Sequence, residues 1–232
     1  MTEKNLTRKD LVKLFEIKVF IIESPKPEDF LNGTEEGSAI YRALTLTGTD
    51  VEYFKVVNRK CLKQVLKKIS SSEPSAADKI ILPIIHFSLH GNSDKIALTS
   101  NETLTWTELA KLLKPVNQSL NEIVTICMSS CEGANAHKMA HVISNPPPYY
   151  TLVGPKHKIA WGDTLTAFIT FYNSLVKFIE ISEGIKRMNL CIGSSDEFQL
   201  FTGEEEKEKS LEKIREIARR IRKQMNINKE TI

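Results

Sequence analysis

The sequence has no CxxC pair, no internal repeat, no strong charge of either sign and no apolar run long enough to cross a bilayer. Each absence removes a class of function. The four cysteines (Cys61, Cys127, Cys131 and Cys191) are scattered, which argues against a disulfide framework or a zinc ribbon. The most apolar stretch, residues 80–87 (IILPIIHF), is far shorter than the roughly 20 residues a spanning helix needs. A net charge of +3, with no basic stripe interleaved with aromatics, gives no footprint for nucleic acid. No secretory signal pattern opens the chain, so a reducing, cytoplasmic setting is expected and membrane association is not. What remains is ordinary globular composition, 41% hydrophobic and 26% charged, over 232 residues, enough to bury a core without staples.

Hydrophobic periodicity alternates between strand and helix. Strands are expected at 18–23, 51–57, 80–87, 123–128 and 150–153, with a small hairpin at 95–98 and 102–104. Pro83 suggests that the regular ladder of the third strand begins after it. Helices are expected at 7–15, 34–46 (closed by Gly48), 61–69, 106–113 (capped by Thr105 with Glu108), 134–142 and 164–181. Residues 24–27 (SPKP) read as a loop, and 184–190 fit neither period cleanly. Residues 204–225 form a charged amphipathic helix with Leu211, Ile214, Ile217, Ile221 and Met225 on one face. Such alternation predicts an α/β fold: a mainly parallel central sheet with helices on both faces. The chain divides into one domain over 1–203 and a C-terminal helix and tail over 204–232.

In open α/β sheets, sites form where loops converge at the carboxyl ends of strands. Two such ends carry reactive residues. One apolar strand runs out into His90-Gly91, the next into Ser129-Ser-Cys131-Glu-Gly133. A thiol needs a base to become a thiolate, and an imidazole can take the proton and return it to a leaving amine. His86 and Cys127, inside their strands, read as packing residues. Pairs four apart on an extended strand are separated by about 13 Å, so His86/His90 and Cys127/Cys131 cannot chelate one ion. His137 and His141 have ligand spacing, but HKMAH lacks the glutamate of HExxH. No metal or cofactor is expected.

Ile85-His-Phe-Ser-Leu-His-Gly91 and Met128-Ser-Ser-Cys-Glu-Gly133 resemble the two catalytic motifs of CHAT peptidases, bacterial caspase-like relatives of separase. Leu104-Thr-Trp-Thr-Glu-Leu109, Val153-Gly-Pro155, Trp161-Gly-Asp163 and Phe168-Ile-Thr-Phe-Tyr-Asn-Ser-Leu175 extend the likeness over roughly residues 17–200. The resemblance implies a caspase-like sheet, hydrolysis of peptide bonds in a protein or peptide substrate, His90 and Cys131 as the dyad, and Gly91 with Cys131 as the oxyanion hole. It also implies an effector role in bacterial defence or cell suicide; with 232 residues leaving little room for a separate sensor, activation is expected from a partner protein, a small signalling ligand or self-association. An inactive caspase-fold module that binds such a partner or ligand is the alternative.

The sequence departs from aspartate-selective caspases. Ser129 and Glu132 stand where those have glutamine and arginine, and Gly162-Asp163 follows Trp161 where an arginine belongs. Substrate contacts are expected from Trp161, Ser129, Asp163, Glu23 and Asp29. The three acids would favour a basic side chain before the scissile bond.

Overall fold

The computed structural model describes residues 14–72, 75–76, 79–141 and 145–230, the side chains of 75–76 and 217–230 excepted. The expected helix over 7–15 falls almost wholly outside these residues. The chain order is β1 (Phe15–Ser24), α1 (Pro27–Asn32), α2 (Glu36–Leu46), β2 (Asp50–Lys55), α3 (Arg59–Ser70), β3 (Ser75–Ala76) and β4 (Lys79–Gly91). It continues with β5 (Lys95–Ala97), β6 (Thr103–Thr105), α4 (Trp106–Ser119), β7 (Thr125–Ser129), a 3-10 helix (Gly133–His141) and β8 (Thr151–Pro155). The last elements are α5 (Trp161–Leu175), α6 (Ile181–Cys191), β9 (Phe198–Thr202) and α7 (Gly203–Glu230).

The fold is α/β, as the periodicity requires. The main sheet runs β2-β1-β4-β7-β8-β9, parallel except for β9 at one edge. The β5–β6 hairpin and β3 attach to β4. Side chains of a strand alternate between faces, and each face of this sheet finds its own helices. Phe20, Ile22, Phe87, Ile126 and Met128 pack with Leu62 and Leu66 of α3 and with Leu109 and Leu113 of α4. Val19, Ile21, Ile84, Cys127 and Val153 pack with Ile40 of α2, Phe168 and Phe171 of α5 and Met188 of α6. Burial on both faces explains why β1 and β4 read as unbroken apolar runs.

Several expectations are corrected. The ladder of β4 does not wait for Pro83, which already pairs with Lys18 of β1. Pairing with β7 starts only at Ile84, so among the described residues the proline meets no partner strand on that side. The helix expected at 164–181 is α5, which stops at Leu175, and the ambiguous residues 184–190 lie in a second helix, α6. The two helices are separated by a turn in which Phe178 takes φ 50° and the Ile179 N–H reaches back to the Ser174 carbonyl at 3.1 Å. The loop at 24–27 gives way immediately to α1, whose start is tied by the Asp29 carboxylate accepting from the Lys26 N–H at 2.8 Å. Strand β9 was not expected at all. The helix expected at 134–142 is the 3-10 helix. The C-terminal helix is present as α7. Of its apolar stripe, Ile214 is exposed, and Ile217, Ile221 and Met225 lie outside the described side chains. No helix among the described residues is long and apolar enough to cross a membrane.

Candidate active site

Parallel pairing fixes where the two reactive residues meet. Ser88 of β4 lies opposite Ser129 of β7, so His90 and Cys131, each two residues further on, leave adjacent strands at the same carboxyl edge. The two line one cavity of about 350 Å³ together with Leu89, Ser130, Ile159, Ala160, Trp161 and Thr164.

The cysteine is presented by a tight turn. The Gly133 N–H donates to the Ser130 carbonyl at 3.0 Å, which places Cys131 second and Glu132 third in a four-residue turn. Glu132 takes φ 56° and is held there by its N–H donating to the His157 carbonyl at 2.9 Å. A non-glycine residue in this region is uncommon and stores strain. The turn is packed from behind backbone to backbone. A Cβ on Gly154 of β8 would lie 2.7 Å from the Gly133 carbonyl carbon, and one on Gly133 would lie 2.9 Å from Met128. Both glycines are therefore needed to seat the Cys131 turn on the sheet. Cys131 is half-buried, and its Sγ lies 3.9 Å from the Ile159 carbonyl oxygen, a weak contact.

The histidine is oriented by α1. Its Nε2 lies 2.9 Å from Asp29 Oδ2, and its ring sits edge-on against Trp161 with centroids 5.3 Å apart. Burial pushes the Asp29 carboxyl up, but hydrogen bonds from His90 and from the Lys26 N–H outweigh it and hold the group below the usual carboxylate range. An ionised carboxylate can only accept, so His90 Nε2 is the donor in this pair. Because the folded pKa is depressed, the ionised Asp29 adds stability above the ordinary carboxylate range. That contribution is lost as pH falls through the lowered value.

The expected substrate residues separate into three groups. Trp161 lines the cavity. Asp29 is instead the imidazole's partner. Glu23, Ser129 and Asp163 are not brought to the cavity wall. Glu23 is buried, accepting from the Gly37 N–H at 2.7 Å and from the Tyr53 hydroxyl, and burial raises its carboxyl. Ser129 is buried and donates to Glu36 Oε1 at 2.6 Å. Asp163 is exposed on the first turn of α5, where Trp161 and Thr164 face the cavity instead. The Glu23 carboxylate is committed to two internal donors, and of the three acids expected to favour a basic side chain, Glu23, Asp29 and Asp163, none lines the cavity. Gly91 abuts the loop that carries Cys131: a Cβ there would lie 3.2 Å from Ser130 Oγ.

Ser130 was not singled out by sequence reasoning. The residue lines the cavity, and its hydroxyl is buried and, among the described residues, has no hydrogen-bond partner. Its signal was present in the doubled serine before Cys131, but the pattern could not say which serine faces the cavity. The residues inside the strands are structural. His86 Nδ1 is 2.8 Å from the Tyr172 hydroxyl, and its ring meets Phe168 edge-on at 4.7 Å. Cys127 is fully buried, and its thiol is pushed up to about 12, chiefly by desolvation.

Asp29→Asn should lower kcat by up to roughly 10²-fold, the cost of a misplaced catalytic group, with little change in KM. Steady-state kinetics on a peptide substrate, with a melting curve for each protein, checks this. A change confined to KM would return Asp29 to substrate binding.

No family model matches the chain, and no curated protein does.

Proposed function

We propose that the chain is a cysteine endopeptidase of the CHAT-like, caspase-fold kind. The observation that carries the reading is the convergence of His90 and Cys131 from adjacent parallel strands onto one cavity, with Asp29 fixing the imidazole.

In this mechanism His90 Nδ1 accepts the Cys131 proton, and the thiolate adds to the scissile carbonyl carbon. The C–N bond breaks as the imidazolium returns the proton to the leaving amine, leaving a thioester on Cys131. Water, deprotonated by His90, then adds to the thioester carbonyl, and the C–S bond breaks to release a carboxylic acid and the thiol. The developing oxyanion needs fixed donors. Backbone N–H groups at Gly91, from the resemblance, and at Cys131 fill that role in this reading, and Ser130, whose hydroxyl is buried without a partner among the described residues, lines the same cavity. An effector role in defence or cell suicide is what the same resemblance implies.

The test is active-site labelling. A peptidyl acyloxymethyl ketone library should alkylate Cys131, mapped by mass spectrometry, in the native chain, and the labelling should fall sharply in His90→Ala. Labelling that ignores His90, or that falls equally on Cys61 and Cys191, would favour the non-catalytic binding module. The sequence of the preferred peptide also decides the question of a basic side chain, to which Glu23, Asp29 and Asp163 do not contribute from the cavity wall.

A further inference from the structure

Between the 3-10 helix and α7, the chain assembles a second cluster. His137 and His141 from that helix and Glu206 from the first turn of α7 present ligand atoms that all lie within 4.8 Å of one another. Glu206 Oε2 is 4.0 Å from His137 Nε2 and 3.5 Å from His141 Nε2. We propose that His137, His141 and Glu206 form a binding site for one divalent transition-metal ion of the zinc class.

The arrangement around the three is what such a site requires. A ligating imidazole needs a neutral ring whose other nitrogen is anchored, so that the free lone pair faces the ion. His137 Nδ1 is 2.9 Å from the Ala134 carbonyl oxygen. A carbonyl only accepts, so Nδ1 is the protonated nitrogen and Nε2 is left with its lone pair toward Glu206. The ring plane is fixed as well: His137 stacks on Phe201 of β9 at 4.8 Å and 21°. The carboxylate is held from behind, because Lys209 Nζ bonds its other oxygen, Oε1, at 2.6 Å. That leaves Oε2 as a single oriented donor, and Glu206 is buried while both histidines are half-exposed.

Two imidazoles and one carboxylate suit zinc, cobalt or nickel better than the all-oxygen cations. Tetrahedral bonds of about 2.0–2.1 Å place ligand atoms about 3.3 Å apart. Side-chain adjustments of an ångström or so would therefore close the present spacings, with a fourth position open to the surface cavity the three line. Sequence reasoning set the histidine pair aside for want of a nearby glutamate. The third donor arrives from α7, far along the chain, and only the packing of α7 on the 3-10 helix supplies it.

The test is a cobalt(II) titration of the chelator-stripped full-length chain. The expected result is one equivalent bound, with visible d–d bands, no thiolate-to-cobalt charge transfer, and a raised melting temperature. Glu206→Gln and His141→Gln should each weaken binding by at least the ~10–100-fold that loss of an outer-shell partner costs. The His141 ring is partly exposed, so that variant should keep its circular dichroism even if a change at Glu206 disturbs folding. No saturable uptake, unchanged affinity in both variants, or thiolate charge transfer placing the ion on a cysteine would each overturn the site. The first outcome would leave the cluster as a histidine–glutamate ion-pair network.

Discussion

Cys131→Ala should reduce peptide hydrolysis to background, a loss on the order of 10⁶-fold when a nucleophile is removed. Cys127→Ala should leave most of the activity. The two thiols lie four residues apart yet in opposite environments. Cys131 stands in a strained turn on the cavity wall, whereas Cys127 is enclosed by the α5 and α6 side of the core with its thiol pushed up to about 12. Losing the Cys127 sulfur removes about one methylene's worth of packing, roughly 1 kcal/mol, so its effect belongs in the melting curve. Alkylation at neutral pH should show the same division, with Cys127 protected until the protein unfolds. Full turnover in Cys131→Ala would refute the peptidase mechanism, whatever the fold.

His90→Ala should cost roughly 10²–10⁴-fold in kcat/KM, the usual contribution of a positioned general base, with little loss of stability because its ring is partly exposed. His86→Ala should do the reverse. That ring is wholly buried, hydrogen-bonded to Tyr172 and packed against Phe168, so its removal should cost roughly 2–4 kcal/mol through a cavity and an orphaned hydroxyl. Turnover and thermal unfolding measured on both variants separate the roles. Equal melting losses with equal activity losses would make both histidines structural.

The parts of the fold that could be read in advance are those where one physical constraint dominates. Strands buried on both faces must be apolar throughout, and β1, β4 and β7 show it. The capping box at Thr105 and Glu108 announces α4, and the structure contains both of its reciprocal bonds. The site was legible for a related reason: a polar residue beside glycine, where an apolar strand stops, has nowhere to go but the sheet edge. The failures came where tertiary contacts override local pattern. Apolar spacing runs on from α5 into α6, and nothing local marks Phe178 as the point where the chain turns. Strand β9 is short and half-buried, and pairing with β8 is what makes it a strand. Asp29 was noticed for its charge but assigned to substrate, because its approach to His90 depends on α1, which the two prolines at 25 and 27 disguised as loop. Glu23 misled in the same way: its charge suggests a surface, while the Gly37 N–H and the Tyr53 hydroxyl take it into the interior.

The strand order also has a consequence for biosynthesis. Once β1 and β2 have paired, β4, β7, β8 and β9 each join the same advancing edge, in the order in which they leave the ribosome. The cavity's walls, through Thr164, are therefore complete before the sheet is closed. Until β9 arrives, the open margin is β8, five residues buried along their whole length in the finished protein. A nascent chain halted between β8 and β9 would expose that margin to any neighbouring polypeptide with a free strand. The antiparallel β9 thus covers the margin that β8 would otherwise leave open.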